Sequence, residues 1–309
     1  MKIIFMGTPE FAVPTLQHIH KSRHSIAAVV TGVDRPTGRG RRLKSPPVKV
    51  AAAAMSYPVL QPESLSDLTF LEQVSAFSPD IFVVVAFRIL PQALLQVPPQ
   101  GAINLHPSLL PSYRGAAPIQ HCLLNGDTST GITTIAITGK IDAGDIILQE
   151  EVPIQPGDDF GSLSVHLAER GAEMVVRTLD LLQGGQARPV NQASISERAV
   201  TPAPKIKPGD LVIDWNTSAT QIANQIRAFS PRPGARTTLE GQGLKLFVPA
   251  VGTAKGPPGE LLAISATQLE IGAGTGSLLV GELQMEGRKR MAIEDFLRGK
   301  QLVVGQKFG

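Results

Sequence analysis

Cysteine is almost missing from this 309-residue chain. Cys122 stands alone, which excludes a disulfide within the chain. Its neighbours in Gln120-His121-Cys122-Leu123-Leu124 are those of an apolar helix, so Cys122 reads as a packed thiol rather than a nucleophile. Six histidines are scattered and none completes an H-E-x-x-H or a Cys/His cluster. His18 and His20, two apart on a helix, point to different sides. No metal is expected. No run approaches the roughly 20 apolar residues of a membrane helix, and Met1-Lys2-Ile3-Ile4-Phe5 reaches a turn at Gly7 too early for a signal peptide. A cytoplasmic enzyme with no membrane partner is expected, and a monomer is the simplest state.

A strong excess of one charge is also lacking, the formal net charge being +3. Residues 1–206 hold 17 basic and 17 acidic side chains; the totals of 29 and 26 leave 12 and 9 for residues 207–309, so the whole excess lies there. Within the neutral part, Arg35, Arg39, Arg41, Arg42, Lys44 and Lys49 crowd one segment against Asp34 alone. Such a cluster reads as a solvated loop or as a polyanion contact.

What is present is an alternation of strand and helix patterns. Residues 2–6 read as a buried strand, Thr8 as a helix N-cap with Pro9 at the first helical position, and 11–21 as a helix. A strand at 25–31, helices at 47–55 and 65–77, and a continuous apolar strand at 81–87 follow. The pattern predicts an α/β fold, Rossmann-like, with a mostly parallel sheet and helices on both faces. A helix at 116–125, strands at 131–138 and 145–154, and a long helix at 160–182 complete a first domain, residues 1–186. Residues 187–208 lack periodicity and carry four prolines, as a linker does. Residues 209–309 hold one helix and five short strands punctuated by glycine, which predicts an OB-like β-barrel of the kind that binds nucleic acid.

Chemistry concentrates in Asn104-Leu105-His106-Pro107-Ser108-Leu109-Leu110-Pro111, at the end of a short strand. Asn104 and His106 are two apart, so their side chains lean to one face above the sheet's carboxyl edge. An amide can stabilise an oxyanion and an imidazole can move a proton. A bare N-x-H pair is more commonly a hydrogen-bonded turn, but the following loop is apolar and aperiodic, as a binding loop is. Asp142 and Asp145, in Lys140-Ile141-Asp142-Ala143-Gly144-Asp145, are equivalent at this level and fit a turn.

These pieces, in this order, resemble the formyltransferases that use 10-formyltetrahydrofolate. Asn104, His106 and Asp142 match that family's catalytic Asn, His and Asp; Ser108, Leu109, Leu110 and Pro111 match its folate loop. Residues 5–11, the arginine-rich segment 34–42, Arg114-Gly115-Ala116-Ala117-Pro118-Ile119-Gln120 and Ala203-Pro204-Lys205-Ile206 resemble the branch that formylates methionyl initiator tRNA. The resemblance implies that 1–186 is a formyltransferase domain and 209–309 a tRNA-binding one. It implies 10-formyltetrahydrofolate as cosubstrate, and methionyl initiator tRNA as partner. Phe87, Arg88 and Ile89 would then border the folate site, although Ala86-Phe87-Arg88-Ile89-Leu90-Pro91 is one residue shorter than the family's usual segment and lacks its glycine. Arg35, Arg39, Arg41, Arg42 and Lys44, with Arg288, Lys289 and Arg290, would contact tRNA. Two alternatives stay open: a formyltransferase acting on a small amine such as a purine precursor or amino sugar, and a non-catalytic folate or RNA binding module.

Overall fold

Ile3, Ile4, Phe5 and Met6 make the buried run of β1 (Lys2–Gly7), and β-branched and aromatic residues fill β6 (Ile81–Val85), whose five residues are all buried. A strand apolar on both faces belongs in the middle of a sheet covered on both sides. The computed structural model, which describes residues 1–37, 42–195 and 199–309 with Thr37 and Arg42 as backbone only, places them there. The chain continues through α1 (Val13–Lys21), β2 (Ser25–Val30), β3 (Arg35–Thr37), β4 (Arg42–Lys44), α2 (Pro47–Ala54), β5 (Val59–Leu60) and α3 (Leu68–Ala76) before β6. After it come α4 (Gln92–Leu95), β7 (Ala102–His106), β8 (Arg114–Gly115), α5 (Pro118–Asn125), β9 (Ser129–Ala136), β10 (Ile146–Pro153), α6 (Phe160–Gln183) and β11 (Pro202–Ala203).

Seven strands form one sheet in the order β10-β9-β7-β6-β1-β2-β5. β5, β2, β1, β6 and β7 are parallel; β9 runs antiparallel to β7, and β10 antiparallel to β9. The order reverses between β1 and β6, and in open sheets of this kind ligands bind beyond the carboxyl ends of the strands near that reversal. α6 carries apolar residues at helical spacing, among them Leu163, Leu167, Val175 and Leu179, all fully buried. Its Gly171 lies against β7: a Cβ there would meet Leu105 Cδ2 at 2.6 Å. A hydrogen bond of 2.8 Å between Thr134 and Thr178 ties the helix to β9.

Two local expectations fail. Thr8 caps no helix; a 3-10 turn, Glu10–Ala12, precedes α1, and Thr8 Oγ1 accepts from Gly32 N at 3.2 Å instead. α3 starts at Leu68 rather than 65, because Asp67 accepts from Phe70 N at 3.1 Å and fixes the end there.

The chain divides into two compact units. One comprises Met1–Gly115, Ser129–Pro153 and Ser164–Ala203; the other Ala116–Thr128, Ile154–Leu163 and Pro204–Gly309. The second contains α5, α7 (Ala219–Phe229) and the antiparallel strands β12 (Ala235–Leu239), β13 (Gln242–Gly252), β14 (Leu261–Ile264), β15 (Leu269–Gly272) and β16 (Ser277–Met285), ordered β12-β13-β16-β15-β14. β17 (Met291–Ala292) pairs with β16, and α8 (Ile293–Gly299) follows. The ladder does not close on itself. The C-terminal tail lies along both edges, with Phe308 N donating to Gly259 O at 2.7 Å and Gly309 N to Thr238 O at 3.1 Å. This is how an OB-like barrel can satisfy two edges without pairing them directly.

Candidate active site

β7 delivers Asn104 and His106 to the carboxyl edge of the sheet, on one face as their spacing requires. Asp142 comes from the turn between β9 and β10. The three side chains meet: Asn104 Nδ2 lies 3.4 Å from Asp142 Oδ1, and His106 Nδ1 lies 3.6 Å from Asp142 Oδ2. Asp145 is elsewhere, accepting from Asn191 Nδ2 at 3.0 Å. The structure thus separates the two aspartates that are equivalent in sequence.

The partners of His106 assign its protons. Nε2 lies 2.9 Å from the carbonyl of Tyr113, which can only accept, so Nε2 carries hydrogen and donates. Nδ1, facing Asp142, is the nitrogen free to take a proton. Burial lowers the imidazole pKa below its ordinary 6.5; the Asp142 charge and the Tyr113 carbonyl raise it by less. Burial therefore favours the neutral ring, with the Asp142 carboxylate facing Nδ1. Asp142 is itself fixed by Gly115 N, which donates to Oδ2 at 3.0 Å. The Asp142 backbone is left-handed at φ 48°, a conformation that aspartate tolerates better than most residues.

Two neighbouring glycines make this arrangement possible. A Cβ on Gly144 would stand 1.7 Å from Ala136 O, and one on Gly115, at φ 131°, would stand 2.5 Å from Ala203 O. Sequence reasoning missed the backbone contributors Tyr113 and Gly115, and it missed Gln192. The signal available was composition alone, a Tyr-Arg-Gly run in a loop and a glutamine in an aperiodic stretch.

The Ser108 to Pro111 loop is largely enclosed. Ser108 and Leu110 are fully buried and Pro111 is buried. Ser108 Oγ donates to Ser112 O at 2.7 Å, and the Leu110 carbonyl accepts from Gln149 Nε2 at 2.9 Å. Leu109 reaches β9, where a Cβ on Gly131 would meet its Cδ2 at 2.3 Å. These side chains hold the loop to the sheet, since burying them stabilises the fold more than exposing them.

Phe87, Arg88 and Ile89 lie beyond the carboxyl end of β6. Phe87 packs into the core, Ile89 is 73% exposed, and the Arg88 guanidinium stacks 5.2 Å from the Phe87 ring centroid while donating to Pro62 O and Glu63 O. Burial and the nearby Arg35 charge lower the Arg88 pKa. A cavity of about 450 Å³ opens here, lined by Glu63, Ser64, Leu65, Ser66, Arg88, Ile89 and Pro91. Its size is that of small-molecule sites. The Ser108 to Pro111 loop does not line it.

Of the basic residues, Arg35 and Lys44 face each other in the β3–β4 ladder, whose base is fixed by Asp34 accepting from Lys49 Nζ at 2.8 Å. The Arg42 backbone begins β4; Arg39 and Arg41 lie outside the described residues. Arg288 and Lys289 are exposed. Arg290 is already engaged, ion-paired with Glu282 and 4.3 Å from the Phe247 ring centroid. Likewise Arg298 pairs with Glu294 and Asp295. Among the described residues no group of three or more His, Cys, Asp or Glu could hold a metal ion, and no helix is long and apolar enough to cross a membrane.

Comparison with known proteins places these features in a family. The formyl transferase pattern matches residues 1–179, and the pattern of the formyl transferase C-terminal domain matches 205–301. Methionyl-tRNA formyltransferase of Geobacter sulfurreducens is 45% identical over 310 residues, covering 100% of this chain and 97% of that protein. Its counterpart in Syntrophus aciditrophicus is 46% identical over 313 residues, covering 100% and 99%. The crystal structure of HypX from Aquifex aeolicus in complex with tetrahydrofolic acid shares the fold at 18% identity, with a TM-score of 0.66 over 99% of this chain and 50% of that one. This chain belongs to the formyl transferase family, in the branch of the methionyl-tRNA formyltransferases.

Proposed function

We propose that the chain transfers the formyl group of 10-formyltetrahydrofolate to the α-amine of methionyl initiator tRNA. The observation that carries this reading is the end-to-end likeness, across both units, to relatives bearing that name. The cavity beside Arg88 and Ile89 supports a folate cosubstrate: it lies at the strand ends near the sheet reversal, has small-molecule size and offers both an apolar and a cationic side chain. The charged tRNA is a cytoplasmic molecule, and the enzyme meets it there as a monomer. Exposed Arg288 and Lys289, with Arg35, Arg39, Arg41, Arg42 and Lys44, supply phosphate contacts that are independent of sequence.

The geometry supports three roles. Asn104 has a second amide hydrogen beyond the one aimed at Asp142, and donates it to the formyl oxygen as negative charge develops, an interaction worth roughly 3 kcal/mol at comparable sites. His106 Nδ1 accepts a proton from the attacking amine and returns it to the departing folate nitrogen, so the amine loses one hydrogen and the folate gains one. The Tyr113 carbonyl orients the ring through Nε2, and Asp142 stabilises the cation once Nδ1 carries the proton. Replacing His106 by Ala should lower the single-turnover rate of formyl transfer at saturating substrates by roughly 10²–10⁴-fold; a wild-type rate would remove His106 from the mechanism.

A further inference from the structure

Gln192 sits in the aperiodic stretch 187–208, far in sequence from every residue of the site. It occupies a 3-10 turn, Gln192–Ser194, capped by Asn191, and is 3% exposed. Its Nε2 donates to Asp142 O at 2.9 Å and to Gly144 O at 2.7 Å. Its Oε1 accepts from Arg114 Nε at 3.1 Å and Arg114 Nη2 at 2.6 Å. Two carbonyls on one side and a guanidinium on the other admit only this orientation of the amide, and both hydrogens and both lone pairs are used.

We propose that Gln192 is a positioning residue for formyl transfer, clamping the Asp142 turn to the 113–115 segment so that carboxylate, imidazole and backbone donor stay in register. The inference rests on the reading that Asp142 takes part in the reaction. The turn and the segment supply the groups that orient the catalytic pair: Asp142 itself, the Tyr113 carbonyl that fixes the His106 tautomer, and the Gly115 N–H that holds Asp142 Oδ2. Gln192 bonds both, and its backbone surroundings continue the grip. Ile146 and Val190 exchange two backbone hydrogen bonds of 2.8 Å on the Asp142 side. On the other side Tyr113 N donates to Thr201 Oγ1 at 2.8 Å, Arg114 N to Thr201 O at 2.9 Å, and β8 pairs with β11. The left-handed backbone at Asp142 is held from outside, because a conformation of this kind persists only when its surroundings over-determine it. A displacement of about 1 Å at a reacting group costs on the order of 10²-fold in rate.

Two variants test the role. Gln192→Glu keeps size and the Arg114 acceptor but loses both N–H donors; Gln192→Asn keeps the amide but withdraws it from the turn. Thermal melting followed by circular dichroism verifies folding of each. For the folded variants kcat should fall roughly 10- to 100-fold, with KM for initiator tRNA and for the folate within about twofold of wild type, and the acid limb of the pH–rate profile should move. In an Asp142→Ala background neither variant should lower kcat further, because Gln192 acts through Asp142. Wild-type kcat in either folded variant, a fall in kcat that adds fully to that of Asp142→Ala, or failure of both variants to fold would overturn the proposal, the last by making Gln192 a folding residue. If Asp142→Ala alone left kcat unchanged, the failure would lie in the catalytic reading instead.

Discussion

At the scale of the residue, protonation is decided by burial more than by residue type. An exposed histidine would be partly protonated near pH 6.5. His106 is almost wholly enclosed, and desolvation outweighs the attraction of Asp142, so its folded pKa lies below 6.5. Two pH effects follow. The base form of Nδ1 is retained as pH falls through 6.5, so the acid limb of kcat/KM should lie below that value, and a limb at or above 6.5 would contradict the assignment. The unfolded chain takes up the proton first, so this group's contribution to stability is complete above pH 6.5 and is lost as pH falls from 6.5 toward the folded pKa. The Asn104 and His106 pair was legible because a strand's period of two puts both on one face. Gln192 was not, since its four hydrogen bonds join segments 48 to 78 residues away and leave no periodic trace.

At the scale of the element, strands and long helices could be read where burial imposes a pattern. The all-buried run of β6 and the spaced leucines of α6 needed no tertiary information. Helix starts were less legible: Thr8 has the right chemistry for a cap, but the neighbouring backbone of Gly32 takes its oxygen. The turn between β9 and β10 shows how an element's shape sets a side chain's place. Gly144→Ala would put a Cβ within 1.7 Å of Ala136 O, a separation that cannot persist. The turn must move and take Asp142 with it. Transfer activity should fall by at least tenfold while the melting temperature drops, whereas Gly139→Ala, with open space around its Cβ, should leave both near wild type. Equal activity in the two variants would show that the turn does not set the rate.

At the scale of the whole molecule, the two sequence patterns and the end-to-end relatives account for both units. The sequence anticipated the five principal strands of the second unit because glycine turns separate them. The edge coverage by residues 305–309 had no such signal, being a pairing of the chain end with distant strands. The basic segment 35–42 is the place to test the partner. Replacing residues 35–42 by a short glycine linker should raise KM for tRNA and leave KM for the folate unchanged. It should also flatten the dependence of log K on log salt by roughly 0.7–0.9 for each phosphate that the arginines neutralise. An unaltered salt slope would remove this segment from the proposed tRNA contacts. The most direct measurement is formyl transfer from 10-formyltetrahydrofolate by the purified full chain, offered methionyl initiator tRNA and, separately, an amino-sugar nucleotide and a purine-precursor amine. Rapid formylation of the methionyl α-amine alone is expected; formylation of a small amine with none on the tRNA would contradict the assigned substrate.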